Sequence, residues 1–134
     1  MSDKAKADAF ADWPQRLVGD LEAGQTNGNV GTVLVSETDK VRVWHLILAP
    51  GESIPFHTHA LDYFWTVVGD GKGRSHFGDG TVRDINYHSG DTKHLTYGQG
   101  ERMTHNLENI GDTTLSFVTV EFKSSANSPI QISP

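Results

Sequence analysis

Three histidines in this sequence, His57, His59 and His105, have the residue type and the spacing of metal ligands. His57 and His59 are separated by one residue, so on a β-strand both imidazoles project from the same face, about 6–7 Å apart. His105 lies in a later segment with strand character, which can pair beside the first strand in an antiparallel sheet. Three imidazoles brought together in this way can converge on one divalent metal ion. The alternative is that they are ordinary surface histidines, because a His-x-His spacing alone is weak evidence.

The segments around these histidines have the two-residue periodicity of β-strands. From Val30 onward, runs of β-branched, aromatic and aliphatic residues alternate with turns that are rich in glycine and aspartate. This rhythm is typical of an all-β sandwich or barrel and not of alternating strands and helices. Besides a strand that holds His57 and His59, strands are predicted over residues 32–35, 41–48, 63–68, 74–77, 81–87, 92–97, 103–107 and 115–122.

The first part of the chain has a different pattern, which predicts a short helix over residues 12–22. Asp12 followed by Gln15 resembles a capping box, and Pro14 is tolerated in a first helical turn. An apolar stripe at helical spacing follows, made of Leu17, Val18 and Leu21. We therefore divide the chain into an N-terminal segment over 1–29, a β-barrel domain over 30–123 and a C-terminal tail over 124–134.

Composition excludes several classes of protein. The chain has 134 residues, 36% of them apolar, which is enough for one domain with an ordinary core. The absence of cysteine excludes disulfides, thiolate-bound zinc and thiol nucleophiles. A net charge of −6 without a basic cluster makes nucleic acid and anionic membranes unexpected partners. No apolar run reaches the roughly 20 residues of a membrane span, and the first residues lack the apolar core of a secretory signal, so we expect a cytoplasmic protein.

The spacing of glycines and histidines resembles the two signature motifs of the cupin superfamily over residues 40–123. The first motif is G-x5-H-x-H-x3,4-E-x6-G and the second is G-x5-P-x-G-x2-H-x3-N. The matching residues are Gly51, His57, His59 and Gly69 for the first motif, and Gly90, His105 and Asn109 for the second. This resemblance implies the cupin double-stranded β-helix, a jelly-roll barrel. The residues within and around the two motifs resemble those of small single-domain, BauB-like cupins.

The sequence departs from the first motif where cupins have a glutamate ligand. Tyr63 and Phe64 stand at that position, and the adjacent Asp62 alternates to the opposite face of the strand. The second motif lacks its proline and is longer than usual. The resemblance therefore implies a site of three histidines without the glutamate. Such a neutral shell leaves the charge of a divalent ion uncompensated and suits an anionic ligand or an ionised water.

Three functions are compatible with this resemblance. The first is a metal-dependent enzyme acting on a small organic anion. It is either an Fe(II) dioxygenase or a lyase or isomerase that uses Zn(II), Ni(II) or Mn(II), and Fe(II) is the favoured ion. Tyr63 shares the inward face with the histidines, so its hydroxyl can orient or protonate a substrate, or it can simply line the pocket. The second function is a non-catalytic ligand-binding or sensing module. The third is a structural dimer whose metal site has been lost.

Other polar residues and the sheet edges support further predictions. His76, His88 and His94 lie in polar hairpins, so we expect them to be exposed. Arg42 and Arg102 are each able to bind a substrate carboxylate through two hydrogen bonds. Exposed edges of a jelly roll tend to pair with another chain, which predicts a homodimer formed through the N- or C-terminal strand.

Overall fold

The structure is a computed structural model that describes residues 10–132. In this range it contains one helix, α1, over Gln15–Gly24. Nine strands follow: β1 Val33–Glu37, β2 Val41–Leu48, β3 Ser53–His59, β4 Asp62–Val67, β5 Gly71–His76, β6 Val82–Tyr87, β7 Thr92–Leu95, β8 Met103–Asn109 and β9 Leu115–Phe122. The prediction of an all-β fold with one short N-terminal helix is confirmed. The proposed division at residues 29/30 and 123/124 stays a prediction.

The strands form two antiparallel sheets that enclose one core. The large sheet has the order β1-β2-β9-β4-β7, and the small sheet has the order β3-β8-β5-β6. Inward-facing apolar side chains from both sheets pack together; they are Leu46, Leu48, Ile54, Val67, Tyr87, Leu107, Leu115 and Phe117. This arrangement places rigid strands on every side of the barrel interior.

The helix begins later than the sequence pattern predicted, and the capping box is wrong. Pro14 is the N-cap, with an extended ψ of 141°, and no side chain caps the helix. The helical conformation is disfavoured for a residue before proline, which agrees with Trp13 lying outside the helix and α1 beginning after Pro14. With ten residues, α1 is too short to span a membrane.

Trp13 and α1 pack on the outer face of the small sheet. α1 lies against β3 and β8, and its last residue, Gly24, is buried against Phe56. Trp13 stacks on Phe56 at 6.0 Å and meets the His76 ring edge-on at 5.0 Å. His76 is therefore half-buried, and the prediction that it is exposed is wrong, whereas His88 and His94 are exposed as predicted. The physical reason is the cover that Trp13 provides from a distant part of the chain.

The two terminal strands differ in whether they have a free edge. β9 pairs with β2 on one side and with β4 on the other. β1 pairs only with β2 and forms the edge of the large sheet. Of the two strands considered for dimerisation, only β1 offers a free edge.

Candidate metal centre

The three predicted histidines come together inside the barrel. His57 and His59 lie on β3 and His105 lies on β8, where it is the direct cross-strand partner of His57. One ring nitrogen from each histidine lies within 4.8 Å of those of the other two. The closest pair is His59 Nε2 and His105 Nε2, at 3.3 Å. His57 and His59 are only 1% and 2% exposed, and His105 is half-buried.

A bulge in β3 turns two of these histidines inward. Ile54 pairs with Leu107, and three residues later His57 pairs with His105, so β3 contains one extra residue in this stretch. Pro55 lies in this stretch, and proline cannot donate a hydrogen bond to a strand ladder. Because of the extra residue, Ile54 and His57 both reach the interior, although a regular strand would point them to opposite faces.

Burial keeps the histidines neutral, as metal binding requires. Loss of solvation lowers the pKa of His57 to about 4. It also lowers the pKa values of His59 and His105 well below 6.5, and repulsion from the neighbouring rings acts in the same direction. His57 Nδ1 donates to the Pro55 carbonyl at 2.9 Å, which leaves the Nε2 lone pair free. Neutral imidazoles with free lone pairs are competent ligands.

The spacing of the ring nitrogens also fits a metal ion. Two nitrogens bound to one ion at about 2.0–2.1 Å lie about 3.0–3.4 Å apart for the usual coordination angles. The 3.3 Å between His59 Nε2 and His105 Nε2 falls within that range. The same distance also allows a weak hydrogen bond between the two rings, which a site without metal would have. Three nitrogens of this kind form a ligand group able to hold one divalent ion.

Tyr63 lies against the histidine cluster, as predicted from its inward phase. Its ring stacks on His59 at 4.0 Å with an interplanar angle of 11°, and Tyr97 stacks parallel to it at 6.3 Å. Burial raises the pKa of Tyr63 well above its ordinary value and raises that of Tyr97 to about 12. Tyr63 is therefore a neutral phenol. The Tyr97 hydroxyl is buried beside Tyr63, and interaction between the two phenols contributes to raising the pKa of Tyr63.

No carboxylate of the described residues completes the histidine cluster. Asp62 points away from it and accepts a hydrogen bond from the backbone N–H of Tyr97 at 2.9 Å. Phe64 lies on the outer face of the large sheet, next to Phe122 and His94. The place of the glutamate ligand is therefore filled by Tyr63 stacked on His59.

The cavity beside the histidines is small, and no charged side chain lines it. Its volume is about 50 Å³. Apolar and aromatic side chains form most of the wall, and Ser75 and Thr119 add two hydroxyls. A cavity of this size holds a few waters or a ligand of a few non-hydrogen atoms, since ordinary ligand pockets are about 300–1,000 Å³.

The two arginines considered as carboxylate binders do not reach this cavity. Arg42 pairs with Glu37 at 2.9 Å and donates to the Ile130 carbonyl at 3.1 Å. Arg102 is exposed and donates to the Gln25 carbonyl at 3.3 Å. Neither arginine is among the residues that line the cavity.

Sequence reasoning missed a buried carboxylate near this site. Glu121 is 3% exposed, is the cross-strand partner of Tyr63, and accepts a hydrogen bond from Trp44 Nε1 at 2.7 Å. Burial is the main cause that raises the pKa of Glu121 to about 6. The available signal was its inward phase on β9, which it shares with Leu115, Phe117 and Thr119.

Comparison with known proteins identifies the fold. No sequence model of a protein family matches this chain, and no curated protein matches it. Several solved structures do match this chain. A cupin domain from Bordetella pertussis is 22% identical, with a TM-score of 0.60 over 69% of this chain and 91% of that one. An uncharacterised protein with a double-stranded β-helix domain from Klebsiella pneumoniae is 25% identical, with a TM-score of 0.55 over 80% and 90% of the two chains.

A third similar structure is an RmlC-like cupin from Methanocaldococcus jannaschii. It is 20% identical, with a TM-score of 0.54 over 66% of this chain and 75% of that one. The chain is a double-stranded β-helix. Its fold is that of the cupin superfamily, and the resemblance of the two motifs is confirmed at this level. The narrower resemblance to BauB-like cupins stays a prediction.

Proposed function

We propose that this chain is a metal-dependent enzyme acting on a compact organic anion, with His57, His59 and His105 holding the metal ion. The observation that carries the proposal is the convergence of three neutral imidazoles, two buried and one half-buried, on one small cavity. A divalent ion in such a shell supplies a Lewis acid, and Fe(II) also supplies a centre for O2 chemistry.

The substrate class follows from charge and size. Three neutral imidazoles leave the double positive charge of the ion uncompensated, and the cavity wall contains no charged side chain. A carboxylate, enolate or thiolate of the substrate supplies the missing negative charge. The volume of about 50 Å³ and the mainly apolar wall favour a compact body with few polar groups.

Within this proposal the chain's own residues have distinct roles. The histidines fix the ion on strands, and the barrel wall excludes bulk water. Tyr63 is the candidate catalytic residue, because its neutral phenol lies against His59 and can donate a hydrogen bond or a proton to the substrate. A dioxygenase with Fe(II) and a lyase or isomerase with Zn(II), Ni(II) or Mn(II) are both compatible with these roles. Oxygen uptake separates them.

One observation favours the alternative of a binding or sensing module. The raised pKa of Tyr63 makes its phenol a weak proton donor. A protein that only binds its ligand needs a hydrogen-bond donor there and no acid. Tight binding without product, whichever metal is supplied, would support this alternative. A cytoplasmic location is kept as a further prediction.

Elemental analysis of the freshly purified protein tests the proposal. We expect close to one divalent ion per chain in the wild type. In His105→Ala we expect the affinity for the ion to fall by orders of magnitude, because each ligand contributes to one chelate. His88→Ala is the matched control, since His88 is exposed and outside the cluster, and it should keep its metal. Full occupancy in His105→Ala would contradict the three-histidine site, and a wild type without metal would favour the structural dimer.

A further inference from the structure

Two hydroxyl side chains of the cavity wall are not used by the metal centre. Ser75 lies on β5 of the small sheet, and Thr119 lies on β9 of the large sheet. Both line the cavity beside the histidines, and they are only 5% and 4% exposed. Within residues 10–132, neither side-chain hydroxyl takes part in a hydrogen bond. Buried hydroxyls are normally hydrogen-bonded, so the partner of these two must lie in the cavity.

The strand register of the small sheet places Ser75 one step from the metal centre. The pairing of β5 with β8 continues through a bridge between Phe77 and His105, so Ser75 lies opposite Leu107. Leu107 is two residues from His105 on the same face of β8. Ser75 is therefore the diagonal neighbour of His105 on the inward face of the sheet.

On the opposite wall, Thr119 has the same relation to Tyr63. β9 pairs with β4 so that Glu121 faces Tyr63 and Thr119 faces Trp65. Thr119 is therefore the diagonal neighbour of Tyr63, whose ring stacks on His59. The Cα atoms of diagonal neighbours lie about 7–8 Å apart. A group that binds these hydroxyls is thus a few bond lengths away from an ion held by the histidines.

Packing of the core requires neither hydroxyl. Thr119 follows two apolar inward residues on β9, Leu115 and Phe117, and a valine has the shape to take its place. An alanine would likewise replace Ser75. A buried hydroxyl without a partner destabilises the folded chain, because it loses its hydrogen bonds to water. A ligand that supplies the missing hydrogen bonds removes this penalty.

We infer that Ser75 and Thr119 form a second binding point for the ligand of the metal centre. This inference rests on the proposed function, in which the negative group of the ligand binds the ion. A hydroxyl both donates and accepts hydrogen bonds, so it suits a hydroxyl or carbonyl oxygen of the ligand. No Lys or Arg of the described residues lines the cavity, so a second carboxylate would be buried there without a counter-charge.

The ligand class is therefore a short monoanion with a neutral oxygen at its far end, a hydroxy acid or an oxo acid. Its length is limited by the step of about 7–8 Å between diagonal neighbours and by the cavity volume of about 50 Å³. A chain of about six non-hydrogen atoms, carboxylate included, joins the two binding points.

Two acids of equal size test this second binding point. 3-Hydroxypropionate and butyrate differ only in that a terminal hydroxyl replaces a methyl group. Titration calorimetry on the Zn(II)-loaded protein measures both Kd values, and Zn(II) has no redox chemistry that would consume the acids. We expect the wild type to bind 3-hydroxypropionate about 10–100-fold more tightly than butyrate, because butyrate leaves the two hydroxyls unpaired.

Three variants locate the origin of this preference. Ser75→Ala and Thr119→Val each remove one hydroxyl and should each reduce the preference for 3-hydroxypropionate, and the double variant should abolish it. Ser116→Ala is the matched control, because it removes a hydroxyl from the outward face of the same strand, β9. It should keep the full preference. Circular dichroism and zinc content show that each variant is folded and loaded.

The outcomes separate this inference from the proposed function. Equal affinity of the wild type for the two acids would overturn the inference alone, and so would a preference that survives in the double variant. Ordered water would then be the partner of the two hydroxyls. A loaded wild type that binds neither acid would overturn the ligand class. A wild type that holds no divalent ion would overturn the proposed function, and this inference with it.

Discussion

Tyr63 is held on both sides at the histidine cluster. His59 stacks on one face of its ring, Tyr97 lies parallel beyond the other, and burial keeps the phenol protonated. A neutral phenol is a poor metal ligand but a good hydrogen-bond donor. Tyr63 is therefore suited to act on the substrate and not to bind the ion.

Tyr63→Phe should separate chemistry from metal binding. We expect near-normal metal content and a turnover lowered by about 10²–10⁴-fold, as is typical when a general acid or base is lost. Tyr87→Phe removes another buried hydroxyl from the same cavity wall without touching the histidines, and it should have a smaller effect. Elemental analysis and a turnover assay on the same samples check both. Loss of the metal from Tyr63→Phe would instead identify Tyr63 as a fourth ligand.

Glu121 should make stability fall as the pH rises through the range from about 4.5 to about 6. Its pKa is about 6 in the folded chain and 4.5 in its ordinary state, so the folded chain holds the proton more tightly there. Folding is thus favoured at low pH, and about 2 kcal/mol of stability is lost by pH 7.

Glu121→Gln removes this dependence and keeps an oxygen that can accept from Trp44. We expect its stability relative to the wild type to rise by about 1–2 kcal/mol between pH 4.5 and pH 7. Urea unfolding at several pH values measures this difference. Glu22→Gln on the exposed face of α1 is the control for charge removal. A difference between Glu121→Gln and the wild type that does not change with pH would contradict the raised pKa.

At the level of single residues, the sequence predicted what alternation and type can encode. The shared face of His57 and His59 was predictable because the two residues are two apart on one strand, β3. Tyr63 lies on β4 of the other sheet, where its contact with His59 depends on how the two sheets pack. The cover over His76 was not, because it comes from Trp13 through a contact that no local pattern describes. The buried state of Glu121 could have been predicted from its phase alone.

Among the elements, the junction between α1 and β3 depends on a glycine without room for a side chain. A Cβ at Gly24 would lie 2.3 Å from Phe56 Cβ and 2.7 Å from the Phe56 carbonyl carbon and oxygen. Backbone at that distance cannot move aside as a flexible side chain can. Gly24 therefore allows the helix to approach the strand that holds His57 and His59.

Gly24→Ala should push α1 away from β3 and destabilise the fold by about 2 kcal/mol. Gly19→Ala is the matched control, because it lies in the same helix with nothing within 4 Å of the new methyl group. It should stabilise the chain by about 0.5–1 kcal/mol through helix propensity. Chemical denaturation measures both. Equal effects of the two substitutions would show that the close approach at Gly24 is unimportant.

Strand prediction succeeded where residue type and packing agree. β2 and β9 were predicted with their observed bounds because both are unbroken runs of strong β-formers. β5 was predicted to begin at Arg74 but begins at Gly71, since glycine is a weak strand former. Tertiary packing compensates there: a Cβ at Gly71 or Gly73 would collide with Leu115 or Leu107. Such distant contacts are absent from local sequence patterns.

For the whole molecule, a bound metal ion should stabilise the folded state, because its ligands come from both β3 and β8. An ion that binds only the folded chain at 1,000 times its Kd adds about 4 kcal/mol. We therefore expect a chelator to lower the Tm by about 15 °C, and readdition of the ion to restore it. His105→Ala should show no such response. Calorimetry of the wild type and His105→Ala, each with and without chelator, measures these Tm values. An unchanged Tm of the wild type after chelation would show that the ion does not stabilise the fold.

β9 is the last of the nine strands to leave the ribosome, yet it lies between β2 and β4. Until residues 115–122 have emerged, β2 and β4 have no common neighbour, and each exposes an unpaired hydrogen-bonding edge. The large sheet can therefore assemble only after most of the chain has been made, and closing it joins segments that are far apart in sequence. The nascent chain is for that period open to wrong pairing with other chains, and early protection of these two edges becomes a requirement of its biogenesis.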